Sequence, residues 1–115
     1  MAYMLLILEQ GQDRRERPSD VGHAAWDSMV RYQQGLKARG VLLASEALKT
    51  EGVRIMAQDG KRRIVDGPFA ESKEIVGGFF LLDCATKEEA MAIADECPAA
   101  AWATVEVRET GRCYE

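Results

Sequence analysis

The chain has few of the residues on which metal and redox chemistry depends. It contains 1 histidine and 3 cysteines in 115 residues, and the cysteines form no Cys-x-x-Cys pair. An odd, widely spaced set of cysteines supports neither a disulfide framework nor a zinc site. We therefore expect no metal, no cofactor and a reducing, cytoplasmic location. Cys84 and Cys97 are interpreted as small buried hydrophobic residues, because neither has a histidine or a basic cluster beside it.

An excess of basic charge is also missing. The chain has 15 lysines and arginines against 19 aspartates and glutamates, which gives a net charge of -4. Proteins whose affinity comes from neutralising phosphates are basic, so we expect no direct contact with nucleic acid. The apolar start, from Met1 to Leu8, has no basic leader and ends at Glu9. Because this run is too short for a membrane span or an ordinary signal region, we expect a first strand and no membrane partner.

The length and composition fit one folded domain over residues 1–115. Apolar residues make up 47% of the chain and charged residues 30%, without a low-complexity tract or an internal repeat. After the first strand, the polar stretch from Glu9 to Arg17 is predicted to be a loop. A helix is predicted from Ser19 or Asp20 to about Arg39, ended by Gly40. Its apolar residues recur on one stripe that must lie on a sheet, namely Ala25, Met29, Tyr32 and Leu36.

The rest of the chain predicts strands around one more helix. The Asp59-Gly60 step is a strong hairpin signal, the Gly77-Gly78 pair predicts a bulge, and Thr86 with Glu89 forms a capping box at a helix start. The predicted elements are a short strand at Val41 to Ala44, a hairpin of Val53 to Ala57 and Lys61 to Val65, a strand at Ile75 to Cys84, a helix from Thr86 to Pro98, and a strand from Trp102 to Glu109.

This order predicts an α+β fold of the ferredoxin-like βαββαβ type with an inserted β-hairpin. Two helices cover only one face of such a sheet. Yet the first strand and the Ile75 to Cys84 strand are apolar at nearly every position, as strands are when both faces are buried. A second copy of the chain is the simplest cover, since twofold homodimers are the commonest soluble assembly. We therefore expect a homodimer packed sheet against sheet.

The run DGPFAESKEIVGGF, from Asp66 to Phe79, resembles the DGPF branch of the YCII-related superfamily. The preceding LLASEAL at 42–48 and VEVR at 105–108 extend the resemblance over almost the whole chain. It implies a dimeric α+β barrel with a cleft between the sheet and the helix-side loops. The superfamily implies enzymes with a histidine and an aspartate as an acid-base pair. The DGPF branch also implies a link to transcription, through fusion with sigma factors.

Asp66 is the leading candidate for an acid or base. It stands at the end of a hairpin strand before a rigid Gly-Pro step, which can hold its carboxyl partly buried. The competing interpretation is local, because an aspartate in this position often fixes a turn through its own backbone. Glu46 interrupts an apolar stretch and must reach water, an amide or a ligand, so it is a candidate to assist Asp66. His23 is the weakest catalytic candidate, because it begins a helix whereas the resemblance places the histidine near the helix end.

The same loop supplies candidate ligand contacts. Phe69 and Phe79 are predicted to form an apolar wall beside Asp66. Glu71 and Lys73 are charged candidates, with exposed ion pairs of little energetic value as the alternative. Trp26 and Trp102 are interpreted as core or interface residues, because neither lies in a basic, aromatic-rich strand.

Three functions are compatible with these residues. We expect a small metabolite bound in the barrel cleft, with acid-base chemistry at Asp66. A non-catalytic ligand-binding dimer is the alternative that requires the fewest functional residues. A regulatory accessory that contacts a transcription factor rests on the resemblance alone.

Overall fold

The computed structural model describes residues 2–67 and 74–114. These residues form a mixed α+β fold in which the helices pack on one face of an antiparallel sheet. The elements in chain order are β1 (Ala2–Gln10), α1 (Gly11–Glu16), α2 (Ser19–Ala38), β2 (Leu42–Ala47), β3 (Val53–Gln58), β4 (Lys61–Asp66), β5 (Glu74–Asp83), α3 (Lys87–Asp95), a 3₁₀ turn (Pro98–Ala101) and β6 (Thr104–Glu109).

The strands form two separate sheets. The larger has the order β2-β5-β1-β6 and the smaller pairs β3 with β4. All pairings are antiparallel. Without the β3-β4 hairpin, the first and third strands lie in the middle of the large sheet and the second and fourth at its edges. This arrangement agrees with the predicted ferredoxin-like order and with an inserted hairpin.

The main local difference from the prediction lies between β1 and α2. The predicted loop from Glu9 to Arg17 is wrong, because β1 continues to Gln10 and α1 follows directly. The second strand is also longer than predicted and runs from Leu42 to Ala47. Glu46 therefore lies inside a strand, where the residues on either side of it point to the opposite face.

The core lies between the helices and one face of the large sheet. Along β1 the side chains of Tyr3, Leu5 and Ile7 alternate inward and are buried. Tyr32 of α2 donates a hydrogen bond of 2.6 Å to the carbonyl oxygen of Ile93 and packs edge-on against Phe80. Burial raises the pKa of the Tyr32 hydroxyl. The buried core residues are Tyr3, Leu5, Ile7, Leu36, Phe80, Leu82, Cys84, Ala90, Ile93, Ala94, Cys97 and Ala99.

The two core cysteines behave as predicted. Cys84 and Cys97 are almost fully buried, and burial raises the pKa of both thiols. A raised pKa keeps a thiol protonated at neutral pH, and the protonated thiol is a poor nucleophile. These side chains therefore serve as small apolar packing groups.

The glycine pair of β5 forms the predicted bulge. Ile7 pairs with Gly78 and the next residue of β1, Leu8, pairs with Val76, so Gly77 is the extra residue. A Cβ on Gly78 would lie 2.9 Å from the carbonyl oxygen of Glu46 in β2. Glycine is therefore needed at 78 because the neighbouring backbone approaches closely.

Among residues 2–67 and 74–114, no helix covers the other face of the large sheet. Apolar side chains in the middle of this open face come from β1 and β5, and the edge strand β6 adds polar ones. The described part of the chain is only 17 Å thick along its shortest axis. The open face includes Met4, Leu6, Leu8, Val76, Phe79, Leu81, Thr104, Glu106 and Arg108, and the edge strand β2 adds Ala44 and Glu46.

The β3-β4 hairpin extends from the body of the fold. Asp59 and Gly60 both have positive φ, at 51° and 77°, which confirms the predicted tight turn. Val53, Ile55 and Ile64 share one face of the hairpin and are exposed by 59%, 65% and 68%. The radius of gyration is 15.9 Å, against about 13 Å for a compact chain of this length. Within the described ranges no helix combines the length and apolarity needed to cross a membrane.

Candidate functional site

A cleft of about 540 Å³ opens between α2 and the large sheet. Small-molecule sites are commonly clefts of roughly 300–1,000 Å³ with mostly apolar walls and a few polar groups. The apolar wall of this cleft is formed by Ile7, Ala25, Trp26, Met29, Val30, Phe80 and Trp102, and polar groups come from Glu9, Arg14, Arg17, Ser19, Gln33 and Ser45.

The cleft exists because one half of α2 reaches the core and the other half does not. Tyr32 and Leu36, toward the end of the helix, pack in or against the core. Ala25 lies on the same stripe but lines the cleft, and Met29, between Ala25 and Tyr32, both packs against the core and lines the cleft. Beneath them β5 offers Gly77 and Gly78, which have no side chains to fill the space. A helical stripe predicted as packing therefore serves partly as the wall of a cavity.

Glu9 is the buried charge at one end of the cleft. It continues the inward alternation of β1 and is only 7% exposed. Its Oε1 lies 3.3 Å from Nε of Arg14, and its Oε2 lies 3.4 Å from a terminal nitrogen of Arg17. A terminal nitrogen of Arg14 also donates a hydrogen bond to the carbonyl oxygen of Leu48. This site, the Glu9 cluster, thus holds two guanidinium groups and one carboxylate.

The positions of the Glu9 cluster follow from local structure. Arg14 lies in the last turn of α1, and Arg17 follows that helix immediately, which directs two cations at the end of β1. Buried carboxylates require such partners, because an unpaired charge loses its hydration. Two positive charges and one negative charge leave a surplus of positive charge beside the apolar wall. An arrangement of this kind can bind a polar or anionic group of a small molecule.

Gly77 leaves room for the Glu9 carboxylate, and this makes it a sensitive position. A Cβ on Gly77 would collide with Oε1 of Glu9, which Arg14 holds in place. We expect Gly77→Ala to lower the free energy of unfolding by about 1–3 kcal/mol, the usual effect of overpacking. Urea denaturation followed by circular dichroism measures the change.

Gly35→Ala is the matched control for Gly77→Ala. A Cβ on Gly35 meets no atom within 4 Å, and the residue lies inside α2. Alanine should stabilise the helix here by about 0.5–1 kcal/mol. Equal effects of the two substitutions would show that the close approach of Gly77 to Glu9 is unimportant.

Asp66 lies away from this cleft lining. It ends β4, opposite Val53 in the small sheet, and its side chain is exposed. The expected partial burial of its carboxyl is not observed among the described residues, where the Asp66 side chain is exposed. Asp66 is absent from the described residues that line the cleft. Its catalytic role stays a prediction.

Glu46 and Phe79 lie opposite each other in β2 and β5 at the edge of the cleft. The hydroxyl of the preceding residue, Ser45, accepts a hydrogen bond of 3.0 Å from Gln33 of α2. Since Ser45 faces the helix, strand alternation places the Glu46 side chain on the open face. Phe79 precedes the core residue Phe80 and is placed on the open face for the same reason. The structure thus brings Glu46 and Phe79 together, on the side away from the Glu9 cluster.

The remaining candidates have separate outcomes. His23 is exposed on α2, and its Nδ1 lies 2.7 Å from the backbone oxygen of Ser19. It does not belong to the cleft lining of the described chain. Phe69, Glu71 and Lys73 fall outside the described residues.

The two tryptophans contradict their interpretation as core residues, while their interpretation as interface residues stays a prediction. Trp26 and Trp102 are not core residues, because they are exposed by 57% and 37%. Both instead line the cleft, one from α2 and one from the segment before β6. Their apolar rings are held near the Glu9 cluster without being buried by the protein itself.

Sequence reasoning missed Glu9, Arg14 and Arg17. The available signal was the period of two in β1, which puts Glu9 on the same face as Tyr3 and Ile7. The run of apolar residues on both faces hid that alternation. Within residues 2–67 and 74–114, no group of histidine, cysteine or acidic side chains is arranged to hold a metal ion.

Comparison with known proteins gives a family and a fold. A model of the YCII-related domain matches residues 1–111. An uncharacterized protein of Rhizobium meliloti (strain 1021) is 53% identical over 32 residues, a stretch that covers 28% of this chain and only 26% of that relative. The structure of 5-chloro-2-hydroxyhydroquinone dehydrochlorinase (TftG) from Burkholderia phenoliruptrix AC1100, in complex with 2,5-dihydroxybenzoquinone, matches with a TM-score of 0.56 at 13% identity, covering 99% of this chain and 97% of that chain. At 13% identity, the likeness to the dehydrochlorinase is a likeness of fold alone.

Proposed function

The chain belongs to the YCII-related family, and from that premise we propose that it binds a small metabolite in the cleft between α2 and the large sheet. The observation that carries the proposal is the buried Glu9, paired with Arg14 and Arg17 beside a mostly apolar wall. Few convergent polar groups in an apolar cleft are typical of small-molecule sites. The dehydrochlorinase of similar fold was solved with a small ring compound bound, which supports a ligand of modest size.

Acid-base chemistry is a second step of this proposal. Asp66 is the proposed acid or base and Glu46 its proposed assistant. Neither carboxyl is placed beside the Glu9 cluster in the single chain, so binding is the better supported step. The sequence DGPF at 66–69 supports placing the chain in the DGPF branch of the family.

Filling the cleft tests the proposed function. Ala25 lines the cleft and its neighbour Ala24 is exposed on the same helix. We expect Ala25→Trp to abolish the binding of compounds that a metabolite screen by ligand-observed NMR detects, because the added ring occupies their space. Ala24→Trp adds the same ring outside the cleft and should leave binding unchanged. Binding that survives in both variants would place the ligand elsewhere and refute the proposal.

We also propose that two copies of the chain pair through their open sheet faces. The supporting observation is the apolar middle of that face, where Leu6 and Leu81 point away from the core and no helix of the described part of the chain covers them. The apolar side of the hairpin, with Ile55 and Ile64, would gain cover in the same assembly. The apolar side chains in the middle of this face are half-buried, and Val76 beside them is 42% exposed. A contiguous apolar surface open to water is typical of an interaction site. A transcription-factor partner rests on the resemblance alone.

A further inference from the structure

We propose that the ligand of the cleft is a compact aromatic anion, whose negative group binds Arg17 and whose ring lies against Trp26 and Trp102. This inference rests on the proposed function and specifies the chemical class of the ligand. It depends on three features of the described residues: the charge of the Glu9 cluster, the unused donors of Arg17, and the aromatic side chains of the cleft.

The charge of the cleft favours an anion. Among the described residues, the charged ones that line the cleft are Glu9, Arg14, Arg17 and Glu46. The Glu46 side chain is placed on the other face of the sheet, which leaves two guanidinium groups and one carboxylate on the helix side. Glu9 does not repel an anion strongly, because each of its two oxygens already lies near a guanidinium group. The surplus positive charge is therefore available to a ligand.

Among the described residues, Arg17 has N–H donors that its contact with Glu9 does not use. A guanidinium group carries five N–H donors in a planar fork, which suits a carboxylate or a similar planar anion. Within residues 2–67 and 74–114, the contact of Arg17 with Glu9 uses one terminal nitrogen, at 3.4 Å. Its side chain is 17% exposed, so the group is held in place and partly removed from water. A charge-assisted hydrogen bond is stronger where water is partly excluded than in open water.

The cleft also favours a flat ring. Trp26 and Trp102 reach it from two different elements, and Met29 and Phe80 complete its apolar wall. Tryptophan gains from offset or edge contacts with another aromatic ring, beyond the burial of apolar area. Since both indoles are partly exposed in the unliganded chain, a ring bound against them would remove apolar surface from water. An aliphatic anion would gain less from the same wall.

Matched probes separate charge from shape. The probes are 2-naphthoate, the neutral 2-naphthamide of nearly the same shape, and decahydronaphthalene-2-carboxylate, which keeps the charge and the carbon skeleton and lacks the aromatic rings. Binding is measured on the full chain by isothermal titration calorimetry and by NMR, at low and moderate salt. We expect 2-naphthoate to bind about tenfold or more tightly than the amide, since one charge-assisted contact is worth about that factor. We expect it to bind severalfold more tightly than the saturated carboxylate, because only the aromatic ring gains from contacts with the indoles. Equal binding of the two carboxylates would overturn the aromatic part of the inference. Added salt should reduce the advantage over the amide.

Variants of Arg17 test the assigned contact. Arg17→Met should remove the preference for naphthoate over naphthamide, whereas Arg31→Met, an exposed position on α2 outside the cleft lining, should preserve it. Because Arg17→Met removes one ion-pair partner of Glu9 and can destabilise the fold, the conservative Arg17→Lys is measured as well. It keeps the charge but loses the planar fork, so we expect an intermediate preference.

The outcomes distinguish this inference from the proposed function. Equal binding of naphthoate and naphthamide, or a preference that survives Arg17→Met, would overturn the aromatic-anion inference. If the probes do not bind while other compounds do, in a manner that Ala25→Trp abolishes, the inference fails and the proposed function stands. If no compound binds in a manner sensitive to Ala25→Trp, the proposed function fails too.

Discussion

Replacing Glu9 with glutamine is expected to lower the free energy of unfolding by about 3 kcal/mol, the usual effect of removing one partner of a buried ion pair. Glutamine keeps the shape of the side chain and removes its charge. The substitution leaves Arg14 and Arg17 as two positive groups beside each other without a counter-charge. Both guanidinium groups are less than a third exposed, so water replaces the lost carboxylate only in part. Chemical denaturation monitored by circular dichroism measures the change.

Asp27→Asn is the matched control for Glu9→Gln. Asp27 is an exposed carboxylate on α2 and is absent from the cleft lining and from the ion pairs observed among the described residues. An isosteric loss of charge there should change stability by less than about 0.5 kcal/mol. If Glu9→Gln costs no more than this control, the Glu9 cluster does not hold the structure together and its arginines must be satisfied by water.

Leu81→Lys is expected to convert the proposed dimer into a monomer. Leu81 lies on the open face in the middle of β5, between Met4 of β1 and Ala44 of β2. A twofold contact would bury two such lysines, one from each copy, and an unpaired buried charge is strongly unfavourable. We expect the dimer dissociation constant to rise by about a hundredfold or more. Sedimentation velocity across a micromolar concentration series measures the association.

Met91→Lys provides the comparison for Leu81→Lys. Met91 is 50% exposed on α3, on the opposite side of the sheet, so the same charge there meets water rather than a second copy. Its dimer affinity should equal that of the unchanged chain, and the circular dichroism of both variants should show a folded protein. A monomeric unchanged chain at micromolar concentration, or a Leu81→Lys variant that dimerises normally, would refute the proposed interface.

Elements with strong local signals were predictable from the sequence. The Asp59-Gly60 turn has the positive φ angles that such a step favours. The Thr86 hydroxyl accepts a hydrogen bond from the amide of Glu89, while the Glu89 carboxylate accepts one from the amide of Ala85, close to the predicted capping box. The bulge at Gly77 was predictable because glycine weakens the interior of a strand and is typical of positions where the pairing shifts. In each case a few neighbouring residues determine the conformation.

The candidate site was harder to predict because its residues come together only in three dimensions. Glu9 gains its significance from burial under α2 and from Arg14 and Arg17, and no local motif marks that meeting. The DGPF run predicted a site at Asp66, but the surroundings of Asp66 depend on where the hairpin packs. Trp26 and Trp102 are distant in sequence and approach one cleft because β6 pairs with β1 beside α2.

Leu8 and Glu9 are consecutive residues, yet one faces the open side of the sheet and the other the cleft. The proposed ligand site and the proposed dimer interface therefore use alternate residues of the same strand. Changes at positions 4, 6 and 8 act first on the open face, whereas a change at Glu9 acts first on the cleft. The shared backbone is then the route by which a change on one side is felt on the other.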